Sequence, residues 1–148
     1  MTMIEWGQDV DVKNAEEALL LNPLLVMLAR RRWISESTTL HNEFAWNGRR
    51  VDVALIGNRN RTAAFELKLG SFGRVLEQAM YNRLSFDRSW VVTDGVPKST
   101  SMEFAAANGV GVISVVAGLP RVLLQAELQI VSPAVRKRLI AQLGVPRT

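Results

Sequence analysis

The sequence contains no cysteine, which excludes disulfides, thiolate nucleophiles and every cysteine-based zinc site. Histidine occurs once, at His41, so a multi-histidine metal site is impossible and a Ser-His-carboxylate triad has one candidate base. No run approaches the ~18 apolar residues of a membrane span, and the start, MTMIEWGQDVDVK, lacks the basic region and apolar core of a secretory signal. The expectation is a cytoplasmic protein with no membrane partner. Low-complexity tracts, internal repeats and linkers are also missing. The 148 residues, 48% of them hydrophobic, suffice for one domain with a substantial core.

Charge is present but unevenly placed. The net charge is +4, yet residues 1 to 17 hold five acids and one lysine, so the remaining chain carries 17 basic and 9 acidic groups. Arginines outnumber lysines 14 to 4, a bias that suits bidentate contact with phosphate. A polyanionic partner such as nucleic acid fits that balance.

Along the chain, VKNAEEALLLNPLLVMLARRRW has the apolar spacing of a core helix. Asn14 and Glu17 have capping-box form, and Asn22-Pro23 allows either one kinked helix or two short ones. Arg30, Arg31 and Arg32 fall at its end, where cations complement the helix dipole. Three strand-like runs follow: TTLHNEFAW, RRVDVALIG and TAAFELKLG. Asn47-Gly48 joins the first two as a tight hairpin and GNRNR joins the second to the third, which predicts an antiparallel meander. SFGRVLEQAMYNRLSF is a predicted helix ending near Asp87, with Val75, Leu76, Ala79, Met80 and Leu84 as its apolar stripe. RSWVVTDG and VGVISVV read as buried strands around a short helix, STSMEFAAANG, so the sheet is mixed. GLPRVLLQAELQIV has no clear assignment, and SPAVRKRLIAQLG is a helix capped by Ser132, opened by Pro133 and ended by Gly144.

The hairpins arrange the charges. An Asn47-Gly48 loop pairs Trp46 with Arg49 and brings Glu43 opposite Asp52; a symmetric GNRNR loop brings Asp52 opposite Glu66. Glu43, Asp52 and Glu66 then form a row across three strands, with Lys68 on the same side, while Val51, Val53, Phe65, Leu67 and Leu69 face the core. Three carboxylates in a row repel one another. A divalent cation such as Mg²⁺ or Mn²⁺ would compensate them, and Lys68 would orient an attacking water or offset phosphate charge. A solvated strand face is the bland alternative, and a one-residue slip of register would place Asp52 in the core.

Asp52, a hairpin, then Glu66-Leu67-Lys68 resembles the signature of the PD-(D/E)XK nuclease superfamily, the restriction-endonuclease-like fold. The element order, a helix, a three-stranded antiparallel meander, a helix and further strands in a mixed α/β sheet flanked by helices, is similar over residues 14 to 116. The resemblance implies one nuclease-like domain, and residues 1 to 148 read as that single domain with a C-terminal helical extension over about 121 to 144. It implies Asp52 and Glu66 as ligands of Mg²⁺ or Mn²⁺, Lys68 as the catalytic lysine, and Glu43 as a further acid near the metal. Gln78 and Tyr81 would be auxiliary catalytic residues on the following helix. Val51 stands where the family name has proline, and Gln78 and Tyr81 are three residues apart instead of the four of some exonuclease-like branches.

Several residues stay open between two roles. Glu16 or Glu17 is a candidate first-helix acid, against the capping role of Glu17. His41 is either a substrate contact or an ordinary strand residue, and Trp46 is the one tryptophan with a claim on nucleic acid. Arg49, Arg50, Arg59 and Arg61 are candidate phosphate-binding residues, or solvated turn residues. The resulting expectation is an Mg-dependent endonuclease acting on DNA, with RNA not distinguished, or a non-catalytic nucleic-acid-binding module on the same fold. Duplex cleavage would need a homodimer, for which residues 121 to 144 offer a surface, or successive nicks.

Overall fold

In the computed structural model, residues 15–70 and 72–144 are described, with side chains from residue 17 onward. Among them, α1 (Ala15–Arg30) precedes β1 (Thr39–Trp46), β2 (Arg49–Ile56) and β3 (Thr62–Lys68). Then come α2 (Gly73–Asn82), β4 (Arg88–Asp94), α3 (Ser99–Ala107), β5 (Gly111–Val116), β6 (Leu119–Leu124) and α4 (Pro133–Leu143). The six strands form one sheet in chain order. β1, β2 and β3 are antiparallel neighbours, β3, β4 and β5 are parallel, and β6 returns antiparallel to β5. The chain is therefore a mixed α/β protein with helices on both faces of a mixed sheet.

α1 is one helix through Pro23. Leu20, Leu21, Leu24, Leu25 and Leu28, on either side of the proline, are all buried. They pack with Val53, Leu55, Phe65, Leu67, Trp90, Val92 and Ile113 on one sheet face. That shared burial outweighs the ~3 kcal/mol cost of an interior proline. On the other face, α2 and α3 are crossovers between parallel strands and pack together over Val91 and Val112. α4 covers the β1–β2 end of that face, where Leu139 and Leu143 meet Phe44, Trp46, Val51, Ala54, Ala64 and Phe86.

Four expectations are corrected here. Val51 lies in the α4 cluster and not beside Val53. The cause is Glu43, whose φ of +57° interrupts the pleat of β1, so that Phe44 and its partner Val51 turn to the α4 side. α2 ends at Asn82, because successive tight turns from Arg83 to Phe86 bury Phe86 and leave Leu84 exposed. Residues 119–124 form the sixth strand, so the region taken as a helical extension begins as sheet. α4 has Pro133 in its first turn but no side-chain cap from Ser132, and it lies against β1 and β2 of its own chain. The residues before Ala15, including Asn14 of the capping box and Trp6, lie outside the described residues, as does the side chain of Glu16. No described helix is long and apolar enough to cross a membrane.

Candidate active site

Two turns set the register that brings Asp52 to Glu66. Asn47 and Gly48 both have positive φ, +51° and +74°, as a two-residue hairpin loop requires, and Trp46 pairs with Arg49. The rungs Phe44–Val51 and Asn42–Val53 continue the same register, with Glu43 and Asp52 between them. At the other end of β2, the loop 57–61 closes with Ile56 opposite Thr62 and runs to Val53 opposite Phe65. The next rung would be Asp52 with Glu66, but the backbone ladder stops before it. In its place, Asp52 Oδ2 accepts the N–H of Leu67 at 2.8 Å. The side chain thus satisfies a backbone donor that the parting strands would otherwise leave unpaired.

Glu66 alternates with Phe65 and Leu67, which face α1, and so points to the α2 side, where it is only 2% exposed. There Asn82, the last residue of α2, donates its Nδ2 hydrogen to Glu66 Oε2 at 2.7 Å. Burial, more than any other cause, raises the Asp52 carboxyl to about 6; the charges of Glu17 and Glu43 add to this, opposed by the Leu67 amide. Burial followed by repulsion from Asp52 raises Glu66 to about 8, with Asn82 acting in the opposite direction. Two acids in mutual contact, both reluctant to ionise, want either a shared proton or a cation.

Glu43 occupies the position opposite Asp52 but departs from the predicted row. Its left-handed backbone takes it off the ladder, and its Oε2 accepts from Arg50 at 2.7 Å. No group of three or more histidine or acidic side chains positioned to hold a metal ion occurs among the described residues. The donor set is a pair, Asp52 and Glu66. Two carboxylates fit Mg²⁺ or Mn²⁺, since Mg²⁺ keeps several waters and takes only one or two protein carboxylates when substrate phosphate supplies further oxygens. Glu17 and Glu43, both near enough to raise Asp52, belong to the same electrostatic group.

Lys68 closes β3 two residues beyond Glu66, exposed and without an ion pair to any described residue. Gln78 is exposed on α2. Tyr81 is 59% exposed, with the Arg49 guanidinium stacked 3.9 Å from its ring centre, so it lies against the hairpin instead of against Glu66. Asn82, four residues after Gln78, is the α2 side chain that reaches the carboxylates; an asparagine among apolar helix positions was the only signal for it. Arg49 and Arg50 flank the hairpin turn near the site. Arg59 and Arg61 belong to the β2–β3 turn, four or more residues along the strands from Asp52 and Glu66, roughly 13 Å or more away. The four arginines therefore do not form one phosphate grip. His41 is turned to α4, its Nε2 2.7 Å from the Leu143 carbonyl oxygen. Trp46 is 7% exposed and donates Nε1–H to Ser85 Oγ at 2.9 Å, which makes it a packing residue that ties the hairpin to the end of α2.

Comparisons with known proteins stop at the fold. No family model matches the chain, and no curated protein matches its sequence. Among solved structures, a protein of unknown function from Silicibacter pomeroyi is similar at a TM-score of 0.59 and 21% identity, over 91% of this chain and 86% of that one. A repair endonuclease from Pyrococcus abyssi is matched at a TM-score of 0.48 and 14% identity, over 69% of this chain and 47% of that one. SfsA from Pyrococcus furiosus, solved in complex with Ca²⁺, is matched at 0.40 and 11% identity, over 70% and 61%. The chain thus shares the fold of the Silicibacter protein.

Proposed function

We propose that this chain is a metal-dependent nuclease of the PD-(D/E)XK type that hydrolyses phosphodiester bonds in DNA. The observation that carries the reading is the pair Asp52 and Glu66, buried together with both carboxyls held above their ordinary range, where the β2–β3 ladder stops and exposed Lys68 follows Glu66. Once ionised, such a buried pair costs the fold stability. Asp52 and Glu66 would hold Mg²⁺ or Mn²⁺, which when bound supplies positive charge against phosphate oxygens and acidifies water. Lys68 orients the attacking water and offsets charge on the phosphate. The water oxygen bonds to phosphorus, one P–O ester bond breaks with its electron pair leaving on the departing oxygen, and the proton that the water loses ends on that oxygen. Arg49 and Arg50, beside the hairpin turn, would contact the strand backbone.

A non-catalytic nucleic-acid-binding module is the second reading. It is favoured by the diversion of Glu43 to Arg50, which leaves two carboxylates where three were expected. Cleavage of supercoiled, linear and single-stranded DNA with Mg²⁺, Mn²⁺ or EDTA separates the two. Nuclease activity requires cleavage by the wild type that EDTA abolishes and that Asp52→Ala and Lys68→Ala both lose. DNA binding by all three proteins without cleavage would support the module.

A further inference from the structure

On the α1 face of the sheet, at the starting ends of β3 and β4, the surface opens into a cavity of about 600 Å³. Glu66 and Lys68 lie at the other end of β3, and Glu66 points through the opposite face. Arg61, which lines the cavity, and Lys68 are seven residues apart, about 23 Å of extended chain. The cavity is therefore separate from the carboxylate site.

Its lining combines cationic and aromatic groups. Arg31, Arg61 and Arg88 contribute guanidinium groups, and Trp33 and Trp90 contribute rings held 5.2 Å apart. Arg88 is anchored by donating to the Ala126 carbonyl. Arg31 and Arg61 are exposed, and neither has an ion pair with a described residue. Arg31 instead lies 5.7 Å from the centre of the Trp33 ring. The acid in the lining, Asp87, is committed elsewhere: one oxygen accepts from Arg136 and the other from the Thr62 amide at 2.9 Å. The charges of Arg31 and Arg61 are thus not neutralised by the acid of the lining.

The volume suits a small organic ligand. Guanidinium forks match phosphate oxygens in geometry as well as charge, and the pair Arg31 and Arg61 suits a doubly charged phosphate better than a single carboxylate. Half-buried Trp33 has Arg31 over its ring, and a nucleobase would stack on that face in place of the guanidinium as Arg31 turns to the phosphate. We infer that this cavity is a nucleotide-binding site, with a phosphate at Arg31 and Arg61 and the base against Trp33. The nucleotide is either free or the phosphorylated end of a strand, and the inference does not depend on phosphodiester cleavage.

Calorimetric titration of the full chain in EDTA tests it, with adenosine 5′-monophosphate, inorganic phosphate, adenosine and a 5′-phosphorylated oligonucleotide as ligands. The nucleotide should bind about tenfold or more tightly than phosphate or adenosine alone. Arg31→Ala and Arg61→Ala should each weaken it about tenfold, the usual size for a charged hydrogen bond, and Trp33→Leu by a similar factor. Asp52→Asn should leave it unchanged, and thermal melting confirms that each variant is folded. Oligonucleotide binding that depends on Arg31 and Arg61 and is displaced by the mononucleotide identifies a strand end as the source; its absence identifies a free nucleotide. No saturable nucleotide binding at millimolar concentration would overturn the inference. So would binding that ignores both arginine substitutions, or phosphate binding as tight as that of the nucleotide.

Discussion

Asn82 donates to Glu66 at 2.7 Å, and both side chains are withdrawn from solvent. Asn82 thus couples the end of α2 to the acidic residue of β3, fixing one carboxylate oxygen and leaving the other directed at Asp52 or a cation. It acts through Glu66 and is a positioning residue. Asn82→Ala should destabilise the protein by about 1–3 kcal/mol, since it leaves a buried carboxyl without its donor. It should also weaken Mg²⁺ binding about 10-fold or more, the usual effect of losing a partner that orients a ligand. Calorimetric Mg²⁺ titration checks this; affinity unchanged in a folded Asn82→Ala protein would remove Asn82 from the site.

Stability without metal should fall as the pH rises. Asp52 and Glu66 titrate above their ordinary values, at about 6 and about 8, so the folded state holds protons that the unfolded state releases. Their contribution is fully present below about pH 4 and is lost progressively up to about pH 8. Glu66→Gln keeps an acceptor for Asn82 and removes the charge. It should match the wild type near pH 4 and exceed its stability at pH 8 by about 2 kcal/mol or more. Urea unfolding in EDTA at the two pH values measures the difference, and a pH-independent difference would contradict the buried-pair account.

Mg²⁺ should reverse that loss. A cation that binds only the folded pair raises the melting temperature by an amount that grows with the logarithm of its concentration above Kd. Melting at pH 8 with and without Mg²⁺ should show an upward shift for the wild type and none for Asp52→Asn or Glu66→Gln. Equal shifts in all three proteins would mean that the ion binds elsewhere.

Lys68 and Tyr81 should differ. Lys68 is exposed, so Lys68→Ala should cost less than about 0.5 kcal/mol of stability, while lowering cleavage by about 10²-fold or more. Tyr81→Phe keeps the stack with Arg49 and should leave cleavage within about twofold. Rate assays on both variants decide between a catalytic Lys68 and a merely solvated one.

Gly111→Ala should disrupt packing at the far end of the sheet. A Cβ there would meet the Trp90 ring and lie 2.7 Å from the Ala126 amide nitrogen. Overpacking of this kind costs about 1–3 kcal/mol or more. A melting temperature equal to that of the wild type would show that β5 can yield at this point.

Much of this was legible from local chemistry. Asn47-Gly48 and the five-residue GNRNR loop determine hairpin registers by themselves, because loop length and positive φ leave little freedom in how strands meet. The positions of Asp52 and Glu66 on neighbouring strands follow from counting. Alternation alone then sends Phe65 and Leu67 to one face and Glu66 to the other.

What the tertiary structure decided lies where distant segments compete for the same group. Glu43 fell in the right register but was taken by Arg50 and a reversed pleat, and Val51 was carried to the α4 side with it. Trp46 and His41, open to two roles in the sequence, were committed by Ser85 and by the end of α4. Asn82 acquired its partner only when α2 folded over β3. The basic cavity joins the end of α1, the starts of β3 and β4, and the segment after β6. No local spacing reports such encounters, because each depends on which long-range packing buries the most apolar surface while leaving the fewest polar groups unpaired.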